Sequence, residues 1–337
     1  MFSAKVYPHP LVTLSLQNMK ITIVQPELAW CDPVANRAHL EEMIGRALST
    51  ETSSEDDSEV GSSLGAQSGE APLSKISEPG LVVIPEMFST GFVTDPVGVA
   101  EENCESLEWM KSIAASTGCA IAGSIATKLS NPTLEGKEQS IQAAAGVSDC
   151  RVGENTQIPG KPSYRNRFYF VRPDGEVTYY DKHHLFTYSG EHLRYTPGQD
   201  RTIVEWGGFR IMLQVCYDLR FPGFSRNSLE ADGRAAYDLC IYVASWPENR
   251  SGAWKTLLRA RAIENQCYVV GVNRVGSDPS CRYSGDSAII DPYGDTLAAC
   301  TPSEECSASA TIGLKSLLDF RARFPVLKDA DKPGMLI

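Results

Sequence analysis

Long apolar runs are missing from this chain of 337 residues. A membrane-spanning helix needs about 20 consecutive apolar residues, and nothing here approaches that length, so no membrane partner is expected. Positive charge is also scarce: 31 Lys and Arg face 42 Asp and Glu, for a net charge of -11. Phosphate backbones are gripped by clustered Lys and Arg, and no basic stripe with interleaved aromatics occurs, so a nucleic-acid partner is not expected either. A Gly-rich phosphate loop is absent, and Gly207-Gly208 reads as a turn before a strand. There are only five histidines, and no Cys/His pair has metal-ligand spacing, so neither a metal nor another cofactor is expected. The ten cysteines include no CxxC pair and are scattered through the chain. That scatter argues against a disulfide framework and for a reducing, cytoplasmic setting.

What is present suits a sizeable core. The apolar fraction is 42%, and length allows one large α/β domain. Short apolar runs at 21–24, 81–84, 120–125, 211–215, 239–244 and 268–272 read as strands. Residues 167–171 and 177–180 flank Pro173-Asp174-Gly175, a hairpin signal, and 287–291 pairs with 296–299 across a second turn. Helical periodicity marks 36–48, 106–117 and 254–265, the last with Leu257, Leu258, Ala262 and Ile263 as its apolar side. Strands thus alternate with helices in one half and form hairpins in the other, so mixed sheets are expected. Two stretches break the pattern. Residues 51–80 are rich in Ser, Glu and Gly, and 130–162 mix Gly, Ser, Asn and Pro; both read as inserts with too little apolar surface to offset ordering entropy. Residues 1–18 carry one Lys, no acid and no Arg, and read as an N-terminal extension before a domain at 19–325 and a tail at 326–337.

Chemistry concentrates where apolar runs stop. Ile211 to Val215 delivers Cys216, followed at once by Tyr217-Asp218-Leu219-Arg220-Phe221-Pro222. Leu81 to Pro85 delivers Glu86, and Tyr179-Tyr180-Asp181 delivers Lys182. A thiol, a carboxylate and an ammonium, each at a strand end, are the parts of an acyl-transfer site. His183 and His184 follow Lys182, but on an extended chain they point opposite ways and nothing evident orients either one, which disfavours a Cys–His dyad.

These stretches, LVVIPEMFSTGF (81–92), YYDKHHLFTYSGEH (179–192), LQVCYDLRFP (213–222) and the segment 242–276, resemble the nitrilase, or carbon–nitrogen hydrolase, superfamily. The wording of PEMFSTGF, GEH, SWPENR and GVNRVGSD is similar to the bacterial ω-amidase (2-oxoglutaramate amidase) branch. The resemblance implies a four-layer α-β-β-α sandwich that dimerises through a helical face, with Glu86, Lys182 and Cys216 as catalytic residues. Glu191 matches the family's second carboxylate. The implied partner is a small amide: a 2-oxo-dicarboxylic acid monoamide such as 2-oxoglutaramate or 2-oxosuccinamate. An N-carbamoyl amino acid, a nitrile, or a non-catalytic scaffold built on the same fold are the alternatives.

The implied reaction makes demands on the site. An unperturbed thiol at pH 7 is only about 3% thiolate, and passing its proton to an ordinary carboxylate is uphill by roughly 5.7 kcal/mol. The three groups therefore have to be buried and close together. Lys182 and the backbone N–H of Tyr217 are expected to hold the oxyanion. Phe92, Phe186 and Trp246 follow the strand-end motifs and could wall a pocket or fill the core. Arg165, Arg167, Arg220 and Arg250 are candidates for a substrate carboxylate, with Arg220 weighted towards a structural ion pair.

Overall fold

Alternation along the strands builds the layers. In the run Ile21–Val24, Ile21 and Ile23 belong to one buried cluster and Val24 to another; Leu81 and Val83 part from Val82 and Ile84, and Phe168 and Phe170 from Tyr169 and Val171, in the same way. Successive side chains on a strand face opposite sides, so each of these strands is buried on both faces and must sit between two layers.

The structure, a computed structural model, describes residues 4–6, 18–49, 79–102, 104–129 and 163–330. The elements run β1 (Ala4–Val6), β2 (Asn18–Gln25), α1 (Pro33–Ser49), β3 (Gly80–Val83), α2 (Glu105–Thr117), β4 (Cys119–Leu129), β5 (Ser163–Val171), β6 (Val177–Asp181), β7 (Arg201–Trp206) and β8 (Phe209–Val215). There follow α3 (Pro222–Ser225), β9 (Leu239–Val243), α4 (Ser251–Asn265), β10 (Tyr268–Val272), β11 (Val275–Ser277), β12 (Arg282–Ser284), β13 (Ala288–Ile290), β14 (Thr296–Ala299), β15 (Cys306–Gly313), α5 (Leu314–Arg323) and α6 (Val326–Asp329).

One sheet has the order β15-β2-β3-β4-β5-β6 and the other β1-β7-β8-β9-β10-β13-β14. The centre of each is parallel: β2, β3 and β4 in the first, β8, β9 and β10 in the second. Ile21, Val83 and Phe168 of the first sheet meet Phe209, Ile211 and Leu213 of the second in one buried cluster. The outer face of the first sheet is covered by Leu40, Met43 and Ile44 of α1 and Met110 and Ile113 of α2. On the outer face of the second, α4 lies so close that a Cβ on Gly271 would meet Leu258 Cδ1 at 2.3 Å and Trp254 Cζ2 at 3.0 Å. The result is the expected α-β-β-α sandwich with mixed sheets.

Several expectations need correction. Helix α4 buries Trp254, Leu258, Arg261, Ala262 and Asn265, whereas Ile263 is 50% exposed. The apolar side read from the sequence was rotated because an aromatic and two polar residues, Trp254, Arg261 and Asn265, take the buried face. Strands β7, β11, β12 and β15 were not identified: β11 and β12 have only three residues each, and β15, with four alanine or serine positions in eight, carries little apolar signal. Within the supposed extension, Ala4–Val6 adds a parallel edge strand to β7. The insert at 130–162 lies outside the described residues, as does the one at 51–80 except for its last two positions; the tail begins with α6 and then passes outside them.

Candidate functional site

Each candidate group leaves the carboxyl end of a strand, and both sheets point those ends at one place. Glu86 follows β3 by way of Ile84 and Pro85, Lys182 follows β6, and Cys216 follows β8. Crevices at the carboxyl ends of parallel strands are the usual ligand sites of α/β sheets.

Glu86, Lys182 and Glu191 form a buried ionic cluster, none of them more than 1% exposed. Lys182 Nζ lies 2.9 Å from Glu86 Oε1 and 3.0 Å from Glu191 Oε2. Removing such charges from water is costly unless the remaining lone pairs are used, and here they are. Asn166 Nδ2 donates to Glu86 Oε1 at 2.7 Å and to Glu191 Oε1 at 3.1 Å. The backbone N–H of Ser245 donates to Glu86 Oε2 at 2.8 Å, and that of Phe186 to Glu191 Oε2 at 2.6 Å. Ser124 Oγ in turn donates to Asn166 Oδ1 at 2.9 Å, which fixes the amide's orientation.

Electrostatics follow from this packing. Desolvation lowers the Lys182 value, but Glu191 and Glu86 outweigh it, so the ammonium is held above its ordinary range. Burial raises Glu191; Lys182 opposes the rise and Glu86 adds to it. Burial pushes the Cys216 thiol well above its usual value; the Glu86 carboxylate adds to the rise, and Lys182 pulls the other way. The thiol therefore shares the electrostatic field of both the carboxylate and the ammonium, and the three candidates do converge.

Cys216 opens a 3-10 turn, Cys216–Arg220, with φ of 46°. Met87, next to Glu86, has φ of 45°. Left-handed backbone at a residue other than glycine costs about 1–2 kcal/mol, and such strain clusters at functional sites because surrounding contacts hold it. The elbow aims Cys216 into a cavity of about 440 Å³. Phe92, Phe186, Tyr217 and Trp246 line that cavity; Trp246, 3% exposed, belongs to the buried core as well, so for it both alternatives hold. The Phe92 ring also lies 5.2 Å from Lys182 Nζ.

The arginines divide. Arg220 and Arg250 line the cavity. Arg220 lies over the Trp246 ring at 4.8 Å and makes no ion pair with a described residue, so the expected structural pair is not found. Arg250 lies over the Phe186 ring at 5.5 Å. Arg165 instead binds the carbonyls of Thr196 and Pro197, at 2.9 and 2.7 Å, and Arg167 binds Asp181 at 2.7 Å. His184 is engaged with Asp218 at 2.8 Å and His183 with the Gly198 carbonyl at 2.7 Å. Among the described residues, no group of three or more His, Cys, Asp or Glu is placed to hold a metal ion.

Asn166 and Ser245 were missed, though each left a signal. Asn166 occupies the same strand phase as Phe168 and Phe170, where a polar side chain needs a reason. Ser245 directly follows the apolar run that ends at Ala244.

The carbon–nitrogen hydrolase family profile matches residues 20–322. The ω-amidase YafV of Yersinia enterocolitica is 36% identical over 318 residues, covering 94% of this chain and 98% of that protein. A 2-oxoglutaramate amidase of Bacillus subtilis is 31% identical over 75% of this chain and 85% of its own length. Among solved structures, a CN-hydrolase superfamily protein from Xanthomonas campestris superposes with a TM-score of 0.72 at 36% identity, covering 94% of this chain and 99% of the other.

Proposed function

The chain belongs to the carbon–nitrogen hydrolase family and is a hydrolytic amidase, and we propose that it removes the terminal amide of small 2-oxo-dicarboxylic acid monoamides, 2-oxoglutaramate or 2-oxosuccinamate, through a cysteine thioester. The observation that carries this reading is the sealed Glu86–Lys182–Glu191 cluster at 2.9 and 3.0 Å, set against Cys216 in a cavity whose wall also holds two guanidinium groups. An amide needs a nucleophile, a proton carrier and an oxyanion partner. A carboxylate at the substrate's far end needs a cation, which Arg220 or Arg250 supplies.

In the proposed sequence Cys216 gives its proton to Glu86 as sulfur attacks the amide carbon. Lys182 and the backbone N–H of Tyr217 hold the oxyanion. Glu86 passes the proton to the leaving nitrogen, the C–N bond breaks, and ammonia departs from a thioester. Glu86 then takes a proton from water, which attacks the thioester; the acid leaves and the thiol recovers its proton. Glu191 keeps Lys182 charged and in place. Phe92, Phe186 and Trp246 wall the substrate.

We further propose that two copies pair through the α4/α5 face, where Ile263, Leu318 and Phe324 remain 50%, 42% and 60% exposed beside Tyr293. Residues 19–325 are read as one hydrolase domain with its inserts at 51–80 and 130–162.

Ammonia release measured from 2-oxoglutaramate, 2-oxosuccinamate, N-carbamoyl amino acids and nitriles tests the substrate. We expect kcat/KM for the oxo-acid amides to exceed the others by about 10²-fold or more, the discrimination of a site built to pair a substrate's polar groups. Preference for a carbamoyl compound or a nitrile would move the enzyme to another branch, and silence towards all four would favour a scaffold.

A further inference from the structure

Between the nucleophile turn and the lysine loop lies a third buried carboxylate, one that the proposed reaction does not use. Asp218 is fully buried. Its Oδ2 accepts the Val215 N–H at 3.0 Å and the Tyr180 hydroxyl at 2.8 Å. Its Oδ1 accepts the His184 N–H at 2.9 Å and lies 2.8 Å from His184 Nδ1. All four contacts are accounted for by two oxygens, and the donors come from both sheets.

The sequence positions of those donors are what matter. Val215 and Asp218 bracket Cys216; Tyr180 and His184 bracket Lys182. The Tyr180 hydroxyl also accepts the His183 N–H at 3.0 Å, closing the lysine loop on itself. The His184 ring stacks on Phe221 at 3.9 Å, and the His183 ring on Phe224 at 4.2 Å, so the lysine loop and the segment beyond Cys216 meet along two flat contacts as well. From the outer layer, Arg261 of α4 supports the same turn through the Leu219 carbonyl at 2.6 Å. The left-handed φ at Cys216 needs such external restraint to persist.

We propose that Asp218 is a positioning residue for catalysis: one buried carboxylate clasps the Cys216 turn to the Lys182 loop and so sets the distance between nucleophile and oxyanion partner. This rests on the roles given above to Cys216 and Lys182. An amide cannot replace the carboxylate. In Asp218→Asn the single oxygen serves either the Val215 side or the His184 side, and the NH2 group then faces a main-chain N–H on the other. The two segments separate slightly while the rest of each sheet stays in register.

The test compares Asp218→Asn, Tyr180→Phe, the double variant and Cys216→Ala on the purified full-length enzyme. Kinetics with 2-oxoglutaramate are normalised to the thiol reacting with iodoacetamide at residue 216 in the variants that keep it and to total protein in Cys216→Ala, and stability is followed by urea unfolding. A misplacement near 1 Å costs about 10²-fold in rate, so Asp218→Asn should lose about that in kcat with KM within about threefold. Tyr180→Phe, which deletes one of the four contacts, should lose less, and the double variant should fall short of the product of the singles because both act through one clasp. If Asp218→Asn unfolds, the same kcat-against-KM split in Tyr180→Phe decides. A kcat per reactive thiol near the wild-type value, whatever the loss of stability, would overturn the clasp, as would independent multiplication of the two losses. An inactive Cys216→Ala beside a fully active Asp218→Asn sinks the clasp alone; turnover surviving in Cys216→Ala sinks the reading of the nucleophile and the clasp together.

Discussion

The two sheets contribute unlike halves of the site. From the first come Glu86, Lys182 and Asn166, which together with Glu191 from the loop after β6 are wholly buried and bonded to one another. From the second come Cys216, Arg220, Ser245 and Trp246, which line the cavity where a small molecule can enter. The first half holds its charges in a fixed arrangement; the second supplies the thiol and a guanidinium to the cavity wall, which Phe92 and Phe186 from the first half complete. Buried charges hold their geometry only when each is paired, so groups that handle protons and the oxyanion are best kept away from solvent. A nucleophile and the groups reading the substrate need the opposite, access from outside.

The largest effect should separate these halves at Glu86. Glu86→Gln removes the proposed proton carrier while leaving Cys216 in place. Turnover should fall by about 10²–10⁴-fold, with both thioester formation and its hydrolysis slowed in single-turnover measurements, since one carboxylate serves both steps. Normal thioester formation followed by a stall would remove Glu86 from the first step.

Lys182→Met strikes the same half differently. Loss of an oxyanion donor should lower kcat by about 10²–10³-fold, and leaving Glu86 and Glu191 facing each other should cost about 3–5 kcal/mol in urea unfolding. The Lys182 value is raised by folding, so its contribution to stability is complete below its ordinary value near 10.5 and is lost only as pH rises through the higher folded value. A variant as stable as the parent would show that the cluster is not a strained store of charge.

In the other half, Arg220→Gln should act on recognition rather than chemistry. A charge-assisted hydrogen bond contributes about 1.5–3 kcal/mol, so KM for 2-oxoglutaramate should rise about 10–100-fold with kcat nearly kept. An unchanged KM would hand the substrate carboxylate to Arg250.

The boundary between the halves is the thiol itself. Because folding raises the Cys216 value, its alkylation by iodoacetamide should be slow near pH 7 and climb about tenfold per pH unit through pH 9. In Glu86→Gln, with the facing carboxylate gone and Lys182 still charged, the same curve should shift to lower pH. An inflection below pH 8 in the unaltered enzyme would mean a preformed thiolate. The smallest effect is expected from the polar insert: deletion of residues 51–78 should leave kcat/KM within about twofold, and failure of that variant to fold would show that the stretch packs.

Much of this was legible one strand at a time. Short apolar runs such as Ile21–Val24 and Leu81–Ile84 marked strands, and the abrupt polar ends at Glu86, Lys182 and Cys216 marked the candidate groups; that successive residues of one run enter two different buried clusters emerged only from the fold. Helix α4 was harder, because Arg261 and Asn265 are buried by partners that no local pattern reveals: the Leu219 carbonyl for one and the Asn227 backbone for the other. Asn166 and Ser245 lie 80 and 159 residues from the Glu86 they hold.

The amino-acid sequence by itself determined which acid, amine and thiol stand at strand ends, because side-chain chemistry and strand-forming apolar runs are local properties. Tertiary structure alone decided which of those groups meet. Packing one sheet on the other brings together donors and acceptors from distant segments, surrounds the oxygens of Glu86, Glu191 and Asp218 with donors, places Arg220 at the cavity wall without an ion pair among the described residues and ties Lys182 to Cys216 through Asp218. Those choices depend on inter-sheet distance and burial, and neither exists until both faces of both sheets are covered.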